Sequence, residues 1–358
     1  MLIGSIYGWE PGCDDIFDPN SPRNRDDCLE PFRVMRQYAI DHGIELHTED
    51  VLAKHNIKPN FGLHIESNPA NVGKASPEYL IRFETPLTVP LNADQQFLNR
   101  FQGIFTWDLD LLEGRGFNAG YKQVSKDRLI EVRTPNPLPK QIRGDWTIPT
   151  YEERQIFCCL IGSNRHANLL DSRELYSQRA KAIRWFEKYK PHAFELYGNG
   201  WRVPEKRLGF IGKMRYRLEK VVPFLMGRPV FPSYRGPAKT KQSVLLQAKF
   251  CICFENARDI RGYLTEKIFD CFFAGCIPVY WGDPDITRWV PKECFIDFRE
   301  IGAFDTLYSY ISNMSKDQYN QLQKAGQEFI GNKEFQPHTS EAFSKTVIDR
   351  ILKDFEVI

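Results

Sequence analysis

No apolar run in this sequence approaches the roughly 20 residues of a membrane span, so a helical integral membrane protein is not expected. The first residues, Met1-Leu2-Ile3-Gly4-Ser5-Ile6-Tyr7, have no basic stretch before them and run straight into acidic, Pro-rich sequence, unlike a secretory leader. The expectation is a soluble, cytoplasmic protein. No Cys-x-x-Cys pairs with a second such pair or with spaced histidines, which argues against a zinc site. The cysteines number nine, an odd count, and Cys158, Cys159, Cys251, Cys253, Cys271 and Cys276 fall in apolar runs. They are read as buried free thiols, the ordinary state of cysteine in a reducing compartment. The seven histidines are scattered and carry no assigned chemistry, and no internal repeat is visible.

What the chain does have is length and apolar content for two cores. Its 358 residues are too many for one ordinary domain, and 42% of them are hydrophobic. The apolar patterning predicts strands over Leu2–Tyr7, Ile44–Leu46, Tyr79–Phe83 and Gly103–Trp107, with a helix over Glu30–His42. The segment 134–149 is Pro-rich and is the best linker candidate. Beyond it, a strand over Ile156–Ile161, a helix over Ser172–Tyr189 and a strand over Ala193–Tyr197 read as a βαβ unit of a doubly wound sheet. The expected division is 1–150, 151–330 and a C-terminal helical segment 331–358 that packs back on the first domain.

The richest stretch is Phe250 to Pro284. Phe250–Phe254 reads as a strand buried on both faces, with Glu255 and Asn256 at its carboxyl end. Thr265 is placed to cap a helix containing Ile268, Phe269, Phe272 and Phe273, which Gly275 ends. Cys276–Trp281 is the next strand. Ligands of open α/β sheets bind outside the carboxyl ends of strands and near helix N-termini, which is where Glu255, Asn256, Glu266 and Lys267 fall.

Phe254-Glu255-Asn256, followed by Glu266-Lys267, Ala274-Gly275 and Pro278-Val279, resembles the donor-site motif of glycosyltransferase family 10, the α1,3/4-fucosyltransferases that use GDP-fucose. Upstream, Phe83-Glu84-Thr85-Pro86 resembles the Phe-Glu-Ser-Pro of that family's acceptor domain, and Phe105-Thr106-Trp107 its aromatic pair. The resemblance covers roughly residues 80–300, with a poor match between about 203 and 230. It implies an α/β protein of GT-B architecture, two Rossmann-like domains facing a central cleft. The first domain would bind acceptor and the second the GDP-sugar. It also implies inverting transfer of L-fucose to a glycan hydroxyl, α1,3 or α1,4 on a GlcNAc or Glc unit, with no cofactor and no metal beyond the co-substrate. Animal members carry an N-terminal anchor, and a cytoplasmic enzyme of lipopolysaccharide or capsule glycan synthesis is the expectation here.

Such a transfer needs a base, cations for the departing diphosphate and a nucleotide pocket. The resemblance makes Glu84 the base; as a residue, it is equally a solvated carboxylate at a strand end. Arg179 has an argument of its own. At about 100° per residue it falls inside the apolar stripe Leu175, Tyr176, Ile183 and Phe186, where a guanidinium needs an anionic partner. That partner is either a diphosphate or a structural carboxylate. Lys267 in a first helical turn opposes the macrodipole unless an anion is bound there. Glu266 can accept from vicinal ribose hydroxyls. Asn256 and Tyr263 match donor-contacting residues of the family. Glu255 either lines the sugar pocket or orients a loop, and Lys241 is a further donor candidate. The triplets Asp283-Pro284-Asp285 and Asp108-Leu109-Asp110 could be metal motifs of another glycosyltransferase class, but are read as loop carboxylates.

Charge is unevenly spread. Trp201 to Lys241 carries eleven Lys/Arg against Glu205 and Glu219, a net +9, which leaves −7 for the rest of a chain at +2. Ile211, Met214, Leu218, Val221 and Val222 share a helical face that excludes Lys213, Arg217 and Lys220, and Pro223 is expected to end the helix. The segment is either a solvated insertion or, over 202–228, a peripheral contact with an anionic inner leaflet, where lipid-linked acceptors reside. No aromatic-rich motif supports nucleic-acid binding. The rivals to a fucosyltransferase are the same fold with another sugar nucleotide and a catalytically silent glycan- or nucleotide-binding protein.

Overall fold

The computed structural model describes residues 1–8, 12–115, 124–139, 142, 147–205, 209–225 and 229–356. The chain forms two compact units, one of Met1–Pro139, Ile260–Leu264 and Phe335–Ile358, the other of Lys140–Asp259 and Thr265–Glu334. The change of unit falls at Pro139/Lys140, inside the Pro-rich stretch, and the second unit extends to Glu334.

The first unit is built on β1 (Leu2–Tyr7), β2 (Ile44–Thr48), β3 (Phe61–Ile65), β4 (Glu78–Ile81), β5 (Gly103–Thr106) and β6 (Leu129–Glu131), in the order β2-β1-β3-β4-β5-β6. Every pairing is parallel. Helix α1 (Glu30–Asp41) lies between β1 and β2 in sequence. Its core residues Phe32, Met35 and Ala39 share one cluster with Phe61 and Leu63 of β3 and with Phe343, Val347, Ile348 and Ile351. These last four lie on the C-terminal helix Ser340–Asp354, which thus completes the core of the unit in which the chain begins.

The second unit contains β7 (Ile156–Ile161), β8 (Phe194–Tyr197), β9 (Tyr234–Gly236), β10 (Ala248–Phe254), β11 (Ile277–Trp281) and β12 (Ile296–Asp297), ordered β12-β11-β10-β7-β8-β9 and again all parallel. Helices α2 (Tyr176–Tyr189), α3 (Gly209–Leu225) and α4 (Glu266–Ala274) connect its strands. Parallel strands covered on both faces demand continuous apolar runs, and β10 supplies one, buried from Phe250 to Phe254. Gly275, at φ 62, ends α4 as the C-terminal glycine signal requires. All nine cysteines are free thiols, and the six in apolar runs are buried.

Three expectations need correction. The helix expected from Ser172 starts at Tyr176, because Leu175 N–H is taken by the Asn256 carbonyl and the segment before it is tied to the loop after β10. Helix α3 does not end at Pro223 but runs to Leu225; a proline removes only one backbone donor, a small loss in a last turn. Thr265 occupies the N-cap position of α4 but its hydroxyl caps nothing, because a buried carboxylate takes it.

Among the described residues, no helix is long and apolar enough to cross a membrane. Buried Arg154 could not be found from the sequence. Its guanidinium donates to the carbonyls of Leu245, Ala248 and Ala274 at 2.9, 2.7 and 2.7 Å, stapling β10 to the end of α4.

Candidate active site

In the second sheet the chain moves outward from β7 to β8 and β9, then returns to β10 on the other side of β7. Ligand crevices of open α/β sheets lie at such a reversal, outside the carboxyl ends of the strands. Glu255 follows β10 directly and is fully buried. One of its oxygens accepts the Thr265 N–H at 2.9 Å; the other accepts the Thr265 hydroxyl at 2.7 Å and the Lys267 ammonium at 2.9 Å. Glu255 therefore sets the start of α4, which is the loop-orienting alternative of the two raised for it. Gly282 makes this burial possible, since a Cβ there would lie 2.5 Å from Glu255 Cγ and 2.4 Å from the Tyr280 hydroxyl oxygen.

The cations gather at the same place. Lys267 also donates to Thr265 Oγ1 at 2.8 Å. Burial alone would lower its ammonium, but Glu255 and Glu266 beside it hold it above the ordinary lysine value, so it stays charged. Glu266 is the reverse case. Burial would raise its carboxyl, but Lys241 and Lys267 hold it well below the usual carboxylate range. Lys241 donates to Glu266 at 3.1 Å and to Asp270 at 2.8 Å, which puts it against the first two turns of α4.

Arg179 is buried, as its stripe predicts, but no carboxylate among the described residues pairs with it. Its Nε and Nη2 donate to the Phe254 carbonyl at 3.1 and 2.7 Å, and Nη2 also reaches Asn256 Oδ1 at 2.9 Å. Of the two partners raised for it, the structural carboxylate is absent among the described residues; carbonyl dipoles hold the guanidinium without neutralising it. Its positive field reaches Lys267 and opposes that lysine's charge. The Arg179 charge, held by neutral acceptors only, lies at a strand end near a helix N-terminus, an arrangement that favours an anion.

Glu84 belongs to the first unit and is half-buried after β4. The Tyr263 hydroxyl donates to its Oε2 at 3.3 Å. Tyr263, expected among the donor residues, is therefore grouped by the structure with Glu84. It is fully buried and packs on Trp107 at 4.8 Å between ring centroids. Gly262, at φ +85, makes that placement possible, because a Cβ there would meet the Trp107 carbonyl at 2.3 Å. Trp107 in turn donates its indole N–H to the Phe83 carbonyl at 2.9 Å.

Sequence reasoning missed Glu66. It follows β3 as Glu255 follows β10, at the equivalent reversal of the first sheet, and its backbone is left-handed at φ 65. Its carboxylate accepts the N–H groups of Phe83 at 3.1 Å and Glu84 at 2.8 Å, and Asn92 Nδ2 at 3.3 Å. The signal was present: Ile65-Glu66-Ser67-Asn68 repeats the pattern of a buried strand ending in a carboxylate and an amide. Burial pushes the Glu66 carboxyl up to about 7, against the pull of the two backbone donors. A folded-state value above the unfolded one contributes stability that is complete below about pH 4.5 and is lost as pH rises through about 7. Glu66→Gln is therefore expected to flatten the fall in melting temperature between mildly acidic and mildly alkaline buffer. A slope equal to that of the parent would show that Glu66 does not titrate there.

Asp108, Asp110 and Asp283 of the two Asp triplets have partners within the protein. Asp108 caps the turn at Leu111 N–H and faces buried Arg82 at 3.4 Å, while Asp110 pairs with Arg261 at 3.3 Å. Asp283 accepts the Asp285 N–H within its own loop at 2.8 Å. Among the described residues no cluster of His, Cys, Asp or Glu has the makings of a metal site. A cavity of about 520 Å³ opens at the carboxyl ends of β1 and β2, with Tyr7, Arg23, Glu49, Asp50, Asn68 and Asn71 in its wall.

Two parallel-sheet Rossmann-like domains of this topology define the GT-B fold. An α1,3-fucosyltransferase solved with GDP aligns over 97% of this chain and 90% of its own, at a TM-score of 0.54 and 16% identity. An α-glucosyltransferase solved with UDP-glucose and abasic DNA aligns over 98% of both chains, at 0.55 and 11%. Residues 189–329 match the C-terminal model of glycosyltransferase family 10 (fucosyltransferase). The α-(1,3)-fucosyltransferase FucT of Helicobacter pylori is 35% identical over 94 residues, which are 26% of this chain and 20% of that protein. The chain thus matches about a fifth of that relative's length. Glu84 and Arg179 both lie outside the family match.

Proposed function

We propose that the protein transfers L-fucose from GDP-fucose to a hydroxyl of a glycan, with inversion at the anomeric carbon. The observation that carries this reading is the meeting of Lys267, Arg179 and the N-terminus of α4 at the carboxyl end of β10, inside the segment where the family model matches or beside it. In this reading Lys267 and Arg179 hold the diphosphate, and Glu266, kept ionised by its lysine neighbours, accepts from the ribose hydroxyls. Asn256 fixes Arg179, and Lys241 fixes Glu266. Glu84 takes the proton of the acceptor hydroxyl, whose oxygen attacks the sugar carbon as the bond to the diphosphate breaks. The proton passes to Glu84 and the negative charge leaves with GDP onto the cations. The polar wall of the first-unit cavity, with its carboxylates, amides and Arg23, has the chemistry to read a glycan.

The second reading keeps the fold and changes the nucleotide, since the fold is equally close to an enzyme solved with UDP-glucose. Thermal unfolding with GDP, UDP and dTDP at equal concentration separates them, because a bound ligand adds RT ln(1 + [L]/Kd) to stability. GDP is expected to give the largest rise in melting temperature. A larger rise with UDP would overturn the guanine assignment.

Transfer is expected to need no divalent metal, because two side-chain cations can carry the leaving charge. Full activity in EDTA is the expected result. Loss of turnover in EDTA that Mn²⁺ restores would show that a metal supplies that charge instead.

A further inference from the structure

Helix α3 exposes its apolar side. Phe210, Ile211, Met214, Leu218 and Val221 are 82%, 76%, 51%, 60% and 51% accessible. These five are the only large hydrophobics so exposed between Tyr189 and Tyr310 among the described residues. Successive helical residues turn by about 100°, which places all five within one arc of about 100°, the width of a buried stripe on an amphipathic helix. In solution this stripe faces water.

The charges around the arc have one sign at its edges. Arg217 borders it on one side with Lys213 and Lys220 beyond, and Arg215 borders it on the other. The lone acid of the helix, Glu219, lies about as far outside the arc as Lys220, on the opposite side, where it is paired with Arg215 at 2.6 Å. A helix face built for a protein partner carries a mixed polar rim, whereas a stripe with cations on both edges matches a sheet of negative headgroups over an apolar interior. The helix is about 25 Å long at 1.5 Å per residue, and its four basic residues rule out a spanning role.

We propose that α3 is an interfacial helix that lies in the plane of an anionic lipid surface, its five apolar side chains among the acyl chains and Lys213, Arg215, Arg217 and Lys220 at the phosphates. The net +9 of the segment Trp201–Lys241, against −7 in the rest of the sequence, adds to the attraction of this region to an anionic surface. The proposal stands apart from the choice of donor or base.

The test is flotation of the full chain with vesicles of phosphatidylcholine alone, or of phosphatidylcholine with phosphatidylglycerol, at low and high salt. Partition into the anionic vesicles alone, weakened by salt, is expected. Each basic residue near an anionic leaflet contributes roughly fivefold, so the combined change Lys213→Gln, Arg217→Gln, Lys220→Gln should lower partition about 10²-fold. Phe210→Ser with Met214→Ser and Leu218→Ser should lower it at least tenfold. Because these side chains are exposed, both variants should keep the parent's melting temperature and its response to GDP. Equal partition into both vesicle types, or parental flotation of either variant, would overturn the proposal. So would a dimer in solution that the apolar variant abolishes without any vesicle binding by the parent. Retention on an oligonucleotide that the charge variant loses and the apolar variant keeps, with no flotation, would assign the patch to nucleic acid instead.

Discussion

Glu84→Gln is expected to leave the fold and GDP affinity close to those of the parent and to remove most transfer. The amide keeps the shape of the side chain and can still accept from the Tyr263 hydroxyl, which reaches Glu84 Oε2 at 3.3 Å. What it loses is the ability to take a proton. Removing a general base typically costs about 10²–10⁴-fold, and the loss should fall on kcat, since the base acts in the transition state. The backbone of Glu84 is held independently of its side chain. Its N–H is bound by Glu66, and its carbonyl accepts Asn92 Nδ2 at 2.7 Å. A collapse of the site is therefore not an available explanation for lost activity. Near-parental turnover with an unchanged pH profile would move the base elsewhere. Glu66, the next carboxylate along the same network, would then replace it, because Glu255 is fully buried and engaged by Thr265 and Lys267.

Lys267→Ala and Arg179→Ala are expected to weaken donor binding and turnover together. Each removes one of two fixed cations from the leaving diphosphate, a loss on the order of 2–4 kcal/mol for a preorganised charge. The two differ in what they leave behind. Without Lys267, Glu255 remains buried with only the Thr265 N–H and hydroxyl, and some stability should go with the cation, since an uncompensated buried charge is costly. Without Arg179, the Phe254 carbonyl and Asn256 Oδ1 lose their donor. Titration of GDP into the folded variants, with the melting temperature measured alongside, separates the effects. If Arg179→Ala lowers the melting temperature while GDP binds as it does to the parent, the arginine serves the fold alone.

The donor end of the site was legible because its signals are local. A buried parallel strand announces itself as an unbroken apolar run. A carboxylate and an amide directly after that run, then a threonine, a glutamate and a lysine opening the next helix, stand out within thirty residues of sequence. Arg179 was legible for the same reason, as a charge out of place in a helical stripe.

What those residues do to one another was not legible. Arg179 is held by the carbonyl of Phe254, 75 positions away, a partner that its place in the stripe does not indicate. Thr265 was expected to cap and instead gives its hydroxyl to Glu255. The hydroxyl of Tyr263 is on Glu84, 179 positions distant, a pairing that neither motif indicates.

The sequence by itself determined where strands and helices run, because strand and helix periods are set by neighbours a few residues apart. It also marked Arg179 and Glu255 as charges inside or directly after apolar patterns. Only the tertiary structure decided the partners. Glu66 binds backbone N–H groups 17 and 18 residues ahead of it, Arg154 binds carbonyls up to 120 residues away, and the last helix closes the core of the first sheet. Burying a polar group without a partner is costly, so each of these finds one. Which one it finds depends on strand order and on where the chain reverses within each sheet, and no local pattern encodes either.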